Sequence, residues 1–207
     1  MAEHEPCVGG SDDWYTPPDI FDALGLTFDL DPCSPGAGHW VPARKVYTET
    51  DDGLDQAWAG LVFMNPPFGD RHGHVPWLTK FFDHGCGVAV VRSYTSSDWW
   101  HAHMQRAEML LWPAGKTQFI PSEDTRKKLE AKAAAKGKVW RNAPGHGVVL
   151  IGMGDDACGA LQRSGLGMVW DRRSIVRPNP MQEHLLALQA AGHEFTLAVT
   201  SNKLGGE

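Results

Sequence analysis

Leu61-Val62-Phe63-Met64-Asn65-Pro66-Pro67-Phe68 decides how this chain is read. Four apolar residues in a row predict a strand buried on both faces, and the two prolines end it, because neither can donate to a central ladder. A strand buried on both faces belongs to a sheet with helices above and below. Outward from it, Thr16-Pro17-Pro18-Asp19 predicts a helix start with Thr16 as N-cap, a proline at the first position and an acid at the third. That helix would bury Ile20, Phe21 and Leu24, stop at Gly25 and lead to a strand from Leu26 to Leu30. After the prolines, a helix from about Pro76 to His84 carries Trp77, Leu78, Phe81 and Phe82, with Gly85 as its stop. A β-branched strand follows from Val88 to Val91. Ser97 caps a helix with Trp99, Trp100, His103 and Met104, and Met109 to Trp112 is a strand. Beyond a basic interruption come a strand from Val148 to Met153, a helix from about Asp156 to Arg163 and a strand from Met168 to Trp170. Asn179-Pro180-Met181-Gln182 opens a last helix with Leu185, Leu186 and Leu188, closed by Gly192, and Phe195 to Val199 is a last strand. The alternation predicts an α/β fold built on a parallel sheet.

Composition bounds the rest. At roughly 150 residues per domain, 207 residues predict one domain, residues 1–207. With 42% hydrophobic and 21% charged residues, the chain can bury a core and is not compositionally disordered. No apolar run reaches the roughly 18 to 20 residues of a membrane span, and Met1 to Asp13 has no signal-like region. Cys7, Cys33, Cys86 and Cys158 form no CxxC pair, which argues against a zinc ribbon or a disulfide framework. A soluble, reduced, cytoplasmic protein is the expectation. Net charge is −6, so the whole surface is not a nucleic-acid glove. The segment from Lys116 to Arg141 departs from that balance. Its eight cations, Lys116, Arg126, Lys127, Lys128, Lys132, Lys136, Lys138 and Arg141, face three anions, Glu123, Asp124 and Glu130, leaving about +5 against about −11 elsewhere. It is expected to be a basic insertion, at about 116–141, that contacts phosphates without reading sequence.

The chemistry is concentrated at Asn65. Ligands of open α/β sheets bind at the carboxyl ends of strands. Two prolines lock the backbone there, so the Asn65 amide oxygen and the Pro66 carbonyl can converge on one point. Two converging acceptors suit a planar exocyclic amine, and Phe68 supplies a face for a flat base. The lone pair of such an amine is delocalised into its ring. Acceptors that pull on its hydrogens favour a pyramidal nitrogen and stabilise the positive charge that develops as it attacks. A methyl group held in line on a sulfonium donor can then transfer directly, with no metal and no covalent enzyme intermediate.

These residues resemble the hallmark of amino-group methyltransferases that use S-adenosylmethionine: Asn, Asp or Ser, then Pro-Pro and an aromatic residue. The closest resemblance is to the phage-type, Dam-like DNA N6-adenine methyltransferases. It is carried by Trp14-Tyr15-Thr16-Pro17-Pro18, Phe28 to Cys33, Tyr47 to Trp58 and Asn65-Pro66-Pro67-Phe68. It implies a Rossmann-like class I methyltransferase sheet with helices on both faces and a site-specific enzyme of phage or restriction-modification type. It further implies double-stranded DNA as partner and Asn65, Pro66, Pro67 and Phe68 as catalytic residues. Trp14, Tyr15, Thr16 and Pro17, with Asp31, Pro32, Cys33 and Ser34, would bind the cofactor, Asp31 pairing with its ammonium group. Ser34-Pro35 stands where the family pattern has a glycine step. Only 31 residues separate Cys33 from Asn65, where two strands and two helices normally fit, so the cofactor half is expected to be shortened. Asp51 or Asp52 would serve the ribose or the adenine amino group, unless Asp52-Gly53 is simply a solvated turn.

Thr117-Gln118-Phe119 are further candidates for holding a flipped base. His72-Gly73-His74 and His101-Ala102-His103 lack carboxylate or cysteine partners at ligand spacing, and no metal is expected. The same chemistry would serve cytosine N4, an RNA base or a protein glutamine amide. A non-catalytic DNA-binding module on a degenerate methyltransferase fold is the alternative of a different class.

Overall fold

Side chains alternate between two apolar layers along three strands at the middle of the sheet, and this alternation sets the architecture. In β4 (Val62–Met64), Val62 and Met64 enter one layer and Phe63 the other. In β5 (Gly87–Arg92), Ala89 and Val91 oppose Val88 and Val90. In β8 (Val148–Met153), Val149 and Ile151 oppose Leu150. The first layer is roofed by α2 (Val75–His84) through Leu78, Phe81 and Phe82, and by α3 (Asp98–Met104) through Trp100 and Met104. The second is roofed by α1 (Pro18–Leu24) through Ile20, Phe21 and Leu24, and by α5 (Asp155–Arg163) through Ala157, Cys158, Ala160 and Leu161. The expected sheet with helices on both faces is therefore present.

The computed structural model describes residues 14–36, 39–67, 73–142 and 147–176. The chain divides into two compact units, residues 1–172 and 173–207, and the sheet with the helices that roof it lies in the first. Of the second, only the end of α6 (Arg172–Val176) is described, so the helix expected from Asn179 and the strand from Phe195 to Val199 lie outside the described residues.

With β2 (Phe28–Asp31), β3 (Ala43–Val46), β6 (Met109–Pro113) and β9 (Gly167–Asp171), the described strands form a seven-stranded sheet of order β3-β2-β4-β5-β8-β6-β9. β3, β2, β4 and β5 are parallel neighbours. β8 runs antiparallel between β5 and β6, and β9 is antiparallel to β6. The expectation of a parallel sheet is thus corrected to a mixed one: apolar runs report burial on both faces but not direction. Between Cys33 and β4, the strand that leads into Asn65, the described residues form one strand, β3, and a three-residue 3-10 helix, Glu49–Asp51, so the cofactor half is short as expected.

Helix ends follow local chemistry. α1 stops at Gly25, in the left-handed conformation at φ 60°, and α2 stops at Gly85, at φ 73°. The N-cap of α1 is Pro17 rather than Thr16, one residue later than the motif suggests. Thr16 cannot cap because it lies a residue too far back, and its hydroxyl is buried instead. Two short strands have no counterpart among the expected elements: β1 (Trp14–Tyr15) pairs antiparallel with β7 (Ile120–Pro121), Trp14 opposite Pro121 and Tyr15 opposite Ile120. The basic segment then forms α4 (Glu123–Ala134). Ser122 caps it, its Oγ accepting from the Thr125 backbone N–H at 3.2 Å.

Candidate active site

The strand order reverses between β2 and β4: the chain crosses from β2 to β3 on one side, then returns to β4 on the other. Such a switch point opens a crevice at the carboxyl ends of the strands. Asp31 ends β2 and Asn65 follows β4, so both motifs arrive at that crevice.

Asn65 is half-buried, and its Nδ2 donates to the Trp14 backbone carbonyl at 2.8 Å. This joins the motif after β4 to the N-terminal motif. Pro66 beside it is buried and Pro67 exposed. Phe68, expected to stack on a base, lies outside the described residues, as does His72. The N-terminal motif is held from a further side by Trp40, whose Nε1 donates to the Thr16 carbonyl at 2.7 Å and whose ring meets Tyr15 edge-on, centroids 5.7 Å apart. Thr16 and Pro17 are buried, and the Thr16 hydroxyl has no hydrogen-bond partner among the described residues.

Asp31 is buried, only 2% exposed. Its Oδ1 accepts from the Cys33 backbone N–H at 3.0 Å, the one hydrogen bond to this carboxyl among the described residues. Burial pushes its pKa up to about 7, the Cys33 N–H opposing the rise. Cys33, half-buried, has its thiol pushed up by burial and by the neighbouring Asp31. Pro32 and Ser34 are buried, and Ser34 Oγ accepts from the Gly36 N–H at 3.1 Å, giving the loop an internal turn. Tyr47, just after β3, ties this loop down. Its N–H donates to the Asp31 carbonyl and its own carbonyl accepts from the Ser34 N–H, both at 2.9 Å.

Asp51 and Asp52 reach the same edge but are exposed. Asp51 closes a capping box: its Oδ2 accepts from the Thr48 N–H at 2.8 Å and the Thr48 hydroxyl at 2.7 Å, which holds its carboxyl below the ordinary range. Asp52 sits at φ 51° and its Oδ1 accepts from the Leu54 N–H at 3.2 Å. The Asp52-Gly53 turn is more than a solvated loop. A Cβ on Gly53 would stand 2.1 Å from the Pro32 carbonyl oxygen, so the turn packs directly on the Asp31 loop. Lys80, on α2, fixes that turn from behind. Its Nζ donates to the carbonyls of Leu54 and Gln56, both at 2.5 Å, and of Gly53 at 3.4 Å.

The basic residues do not all point outward with free charge. Arg126 pairs with Glu130 at 3.5 Å and Lys127 with Glu123 at 2.9 Å. Lys128, Lys132, Lys136, Lys138 and Arg141 are exposed, as is Lys116. α4 buries little besides Thr125, and the β1–β7 pairing places its N-terminus next to the N-terminal motif. Gln118 is exposed, Thr117 and Phe119 are half-buried, and the Phe119 carbonyl accepts from Asn142 Nδ2 at 2.7 Å. His74 packs edge-on to Trp99, and His103 hydrogen-bonds Thr79 at 3.1 Å and the Trp99 carbonyl at 2.9 Å. Among the described residues no group of three or more His, Cys, Asp or Glu is arranged to hold a metal ion.

Sequence reasoning missed Trp40, Tyr47, Gly53 and Lys80 as supports of the site. Trp40 and Lys80 act on backbone carbonyls far away in sequence, for which no motif is diagnostic. Gly53 had a signal in Asp52-Gly53, a turn pair, but what it packs on is tertiary.

The mixed sheet with helices on both faces is a methyltransferase-like fold, and it carries a buried Asp and a half-buried Asn at its switch point. The sequence model of the Dam family, DNA N-6-adenine-methyltransferase, matches residues 7–145, about two thirds of the chain, and the protein belongs to that family. No curated protein and no solved structure gives a significant match. Among the described residues no helix is long and apolar enough to cross a membrane.

Proposed function

We propose that residues 1–207 act as one methyltransferase domain with a basic insertion at about 116–141. It would transfer a methyl group from S-adenosylmethionine to the exocyclic N6 of an adenine flipped out of double-stranded DNA. The observation that carries this reading is the Asn65 amide. Its Nδ2 is spent on the Trp14 carbonyl, and Oδ1 has no partner among the described residues, so an acceptor remains at the mouth of the switch point. S-adenosylmethionine held beside Asp31 would supply an electrophilic methyl group on a sulfonium sulfur, which would leave as a neutral thioether with its electron pair while the methylated nitrogen gave up a proton to water. Asn65 Oδ1 and the Pro66 carbonyl accept from the amine and stabilise the charge developing on nitrogen. Phe68 stacks on the extruded base.

The pocket residues fit the cofactor. Asp31 is a buried carboxyl with one hydrogen bond among the described residues, and burial raises its pKa. An ammonium group beside it would restore the charged form. The orphaned Thr16 hydroxyl supplies a second polar contact. Asp51 or Asp52 serves the ribose hydroxyls or the adenine amino group; each carboxyl keeps one oxygen without a hydrogen bond among the described residues. Lys128, Lys132, Lys136, Lys138 and Arg141 contact phosphates, with smaller contributions from Arg126 and Lys127, which share charge with their glutamates.

The test is single-turnover transfer of labelled methyl groups from S-adenosylmethionine to adenine-containing duplex DNA. Labelled N6-methyladenine is expected. Label appearing only in cytosine, RNA or protein glutamine would keep the chemistry and change the substrate, and no cofactor binding in calorimetry, with no transfer to any acceptor, would favour a non-catalytic DNA-binding module.

A further inference from the structure

The contact between Asn65 and Trp14 does more than join two motifs. A backbone carbonyl accepts hydrogen bonds and cannot donate them. At 2.8 Å it therefore distinguishes the two ends of the Asn65 amide: the NH₂ end is attracted and the oxygen end would be repelled. Rotated by half a turn, Asn65 would set one oxygen against another and present two donors to an incoming amine, which is itself a donor. The Trp14 carbonyl is in turn held firmly. Trp14 and Tyr15 pair with Pro121 and Ile120, and the carbonyl of Thr16 is pinned by Trp40.

We propose that the Trp14 backbone carbonyl is a positioning group for methyl transfer, locking the Asn65 amide with Oδ1 toward the target amine. The proposal rests on Asn65 being the acceptor for that amine. It predicts that position 65 needs a side chain with a donor on one side and an acceptor on the other, so an acceptor alone is insufficient.

Asn65→Asp tests this, because it keeps size and an acceptor while replacing the donor with a second oxygen. The carboxyl can restore the contact only by keeping its proton. With aspartate carboxyl carbons labelled, the resonance introduced by the substitution is expected to titrate at least about one pH unit above the ordinary value of about 3.9. The transfer rate of the variant, divided by that of the unsubstituted enzyme at the same pH, is expected to rise about tenfold per unit as pH falls toward that midpoint. The ratio removes the influence of the other titratable and charged groups at this edge. Among the described residues these are Asp31 at the end of β2 and Cys33 after it, Asp51 and Asp52 beyond β3, Arg92 at the end of β5 and Tyr94 after it, His74 before α2 and Tyr15 on β1. A midpoint at or below the ordinary value, or a variant as active as the parent at alkaline pH, overturns the proposal. If the variant does not fold, hydrogen exchange of the Asn65 side-chain amide in the unsubstituted protein decides: slowed exchange supports the lock, and exchange at the rate of a free asparagine overturns it. Neither magnetic-resonance measurement needs substrate. A raised midpoint in a protein whose parent does not methylate DNA would leave the lock and remove the methyltransferase reading, whereas an ordinary midpoint with an active parent would remove the lock alone.

Discussion

Replacing Asp31 by Asn should make the free protein more stable and the enzyme worse, and the structure sets the size of both effects. In the folded chain the carboxyl titrates near 7, against 3.8 without the protein around it, because burial strips water from its charge. Between those values the folded state holds a proton that the unfolded state has released. Stability then falls as pH rises from about 4 to about 7, and is level above that. Three pH units at about 1.4 kcal/mol each give an upper bound of about 4 kcal/mol, and relaxation around the charge lowers this to about 2–4 kcal/mol. Asn carries no charge at any pH, and its Oδ1 can still accept from the Cys33 N–H. Urea unfolding should therefore find Asp31→Asn and the parent close together near pH 4. At pH 8 the variant should lead by about 2–4 kcal/mol, or roughly 5–15 °C in melting temperature. Cofactor affinity should move the other way. Losing a charge-assisted contact worth about 1.5–3 kcal/mol weakens S-adenosylmethionine binding at least about tenfold. In the parent, protons compete with the ammonium group, so affinity should fall about tenfold per unit below about pH 7; in the variant it should be flat. An Asp31→Asn protein that gains no stability between pH 4 and 8 refutes the desolvation argument. One that binds the cofactor with parental affinity refutes the pairing.

Other substitutions separate the parts of the site. Asn65→Ala should leave fold and cofactor binding largely intact and slow single-turnover methyl transfer about 10²–10³-fold, since a preorganised acceptor is lost; transfer at the parental rate would end the mechanism. Gly53→Ala puts a Cβ at 2.1 Å from the Pro32 carbonyl and should cost about 1–3 kcal/mol in denaturant unfolding, with weaker cofactor binding as the Asp31 loop shifts. Lys80→Met strands the carbonyls of Leu54 and Gln56 and should destabilise by about 1–3 kcal/mol, read from the same unfolding curves. Neutralising Lys128, Lys132 and Lys136 together should weaken binding to unrelated duplexes alike and flatten the salt dependence by up to about 0.9 unit of slope per lost contact. Neutralising Arg126 and Lys127 should flatten it less, and an unchanged slope in both would mark α4 as a solvated face.

The parts legible in the sequence were those where neighbouring residues determine the outcome. The apolar run before Asn65 announced a strand buried on both faces, and the stops at Gly25 and Gly85 need only a residue that tolerates positive φ. Burial carried no information about direction, so β8 and β9 were read without their antiparallel sense. The weakest local signals belong to the contacts that assemble the site. Nothing in Trp14-Tyr15 marks a strand, because two residues have no period. Their partner, Ile120-Pro121, lies more than a hundred positions away beside the basic run. That pairing sets the Trp14 carbonyl against Asn65 and brings the start of α4 beside the same motif. A loop-and-helix insertion that reads in sequence like a separate basic appendage is therefore paired to the strand that meets Asn65. Since β7 runs directly into the cap at Ser122, a shift of α4 would be passed to the N-terminal motif through the β1–β7 pairing. The insertion cannot be exchanged for another basic helix without rebuilding the β1–β7 pairing.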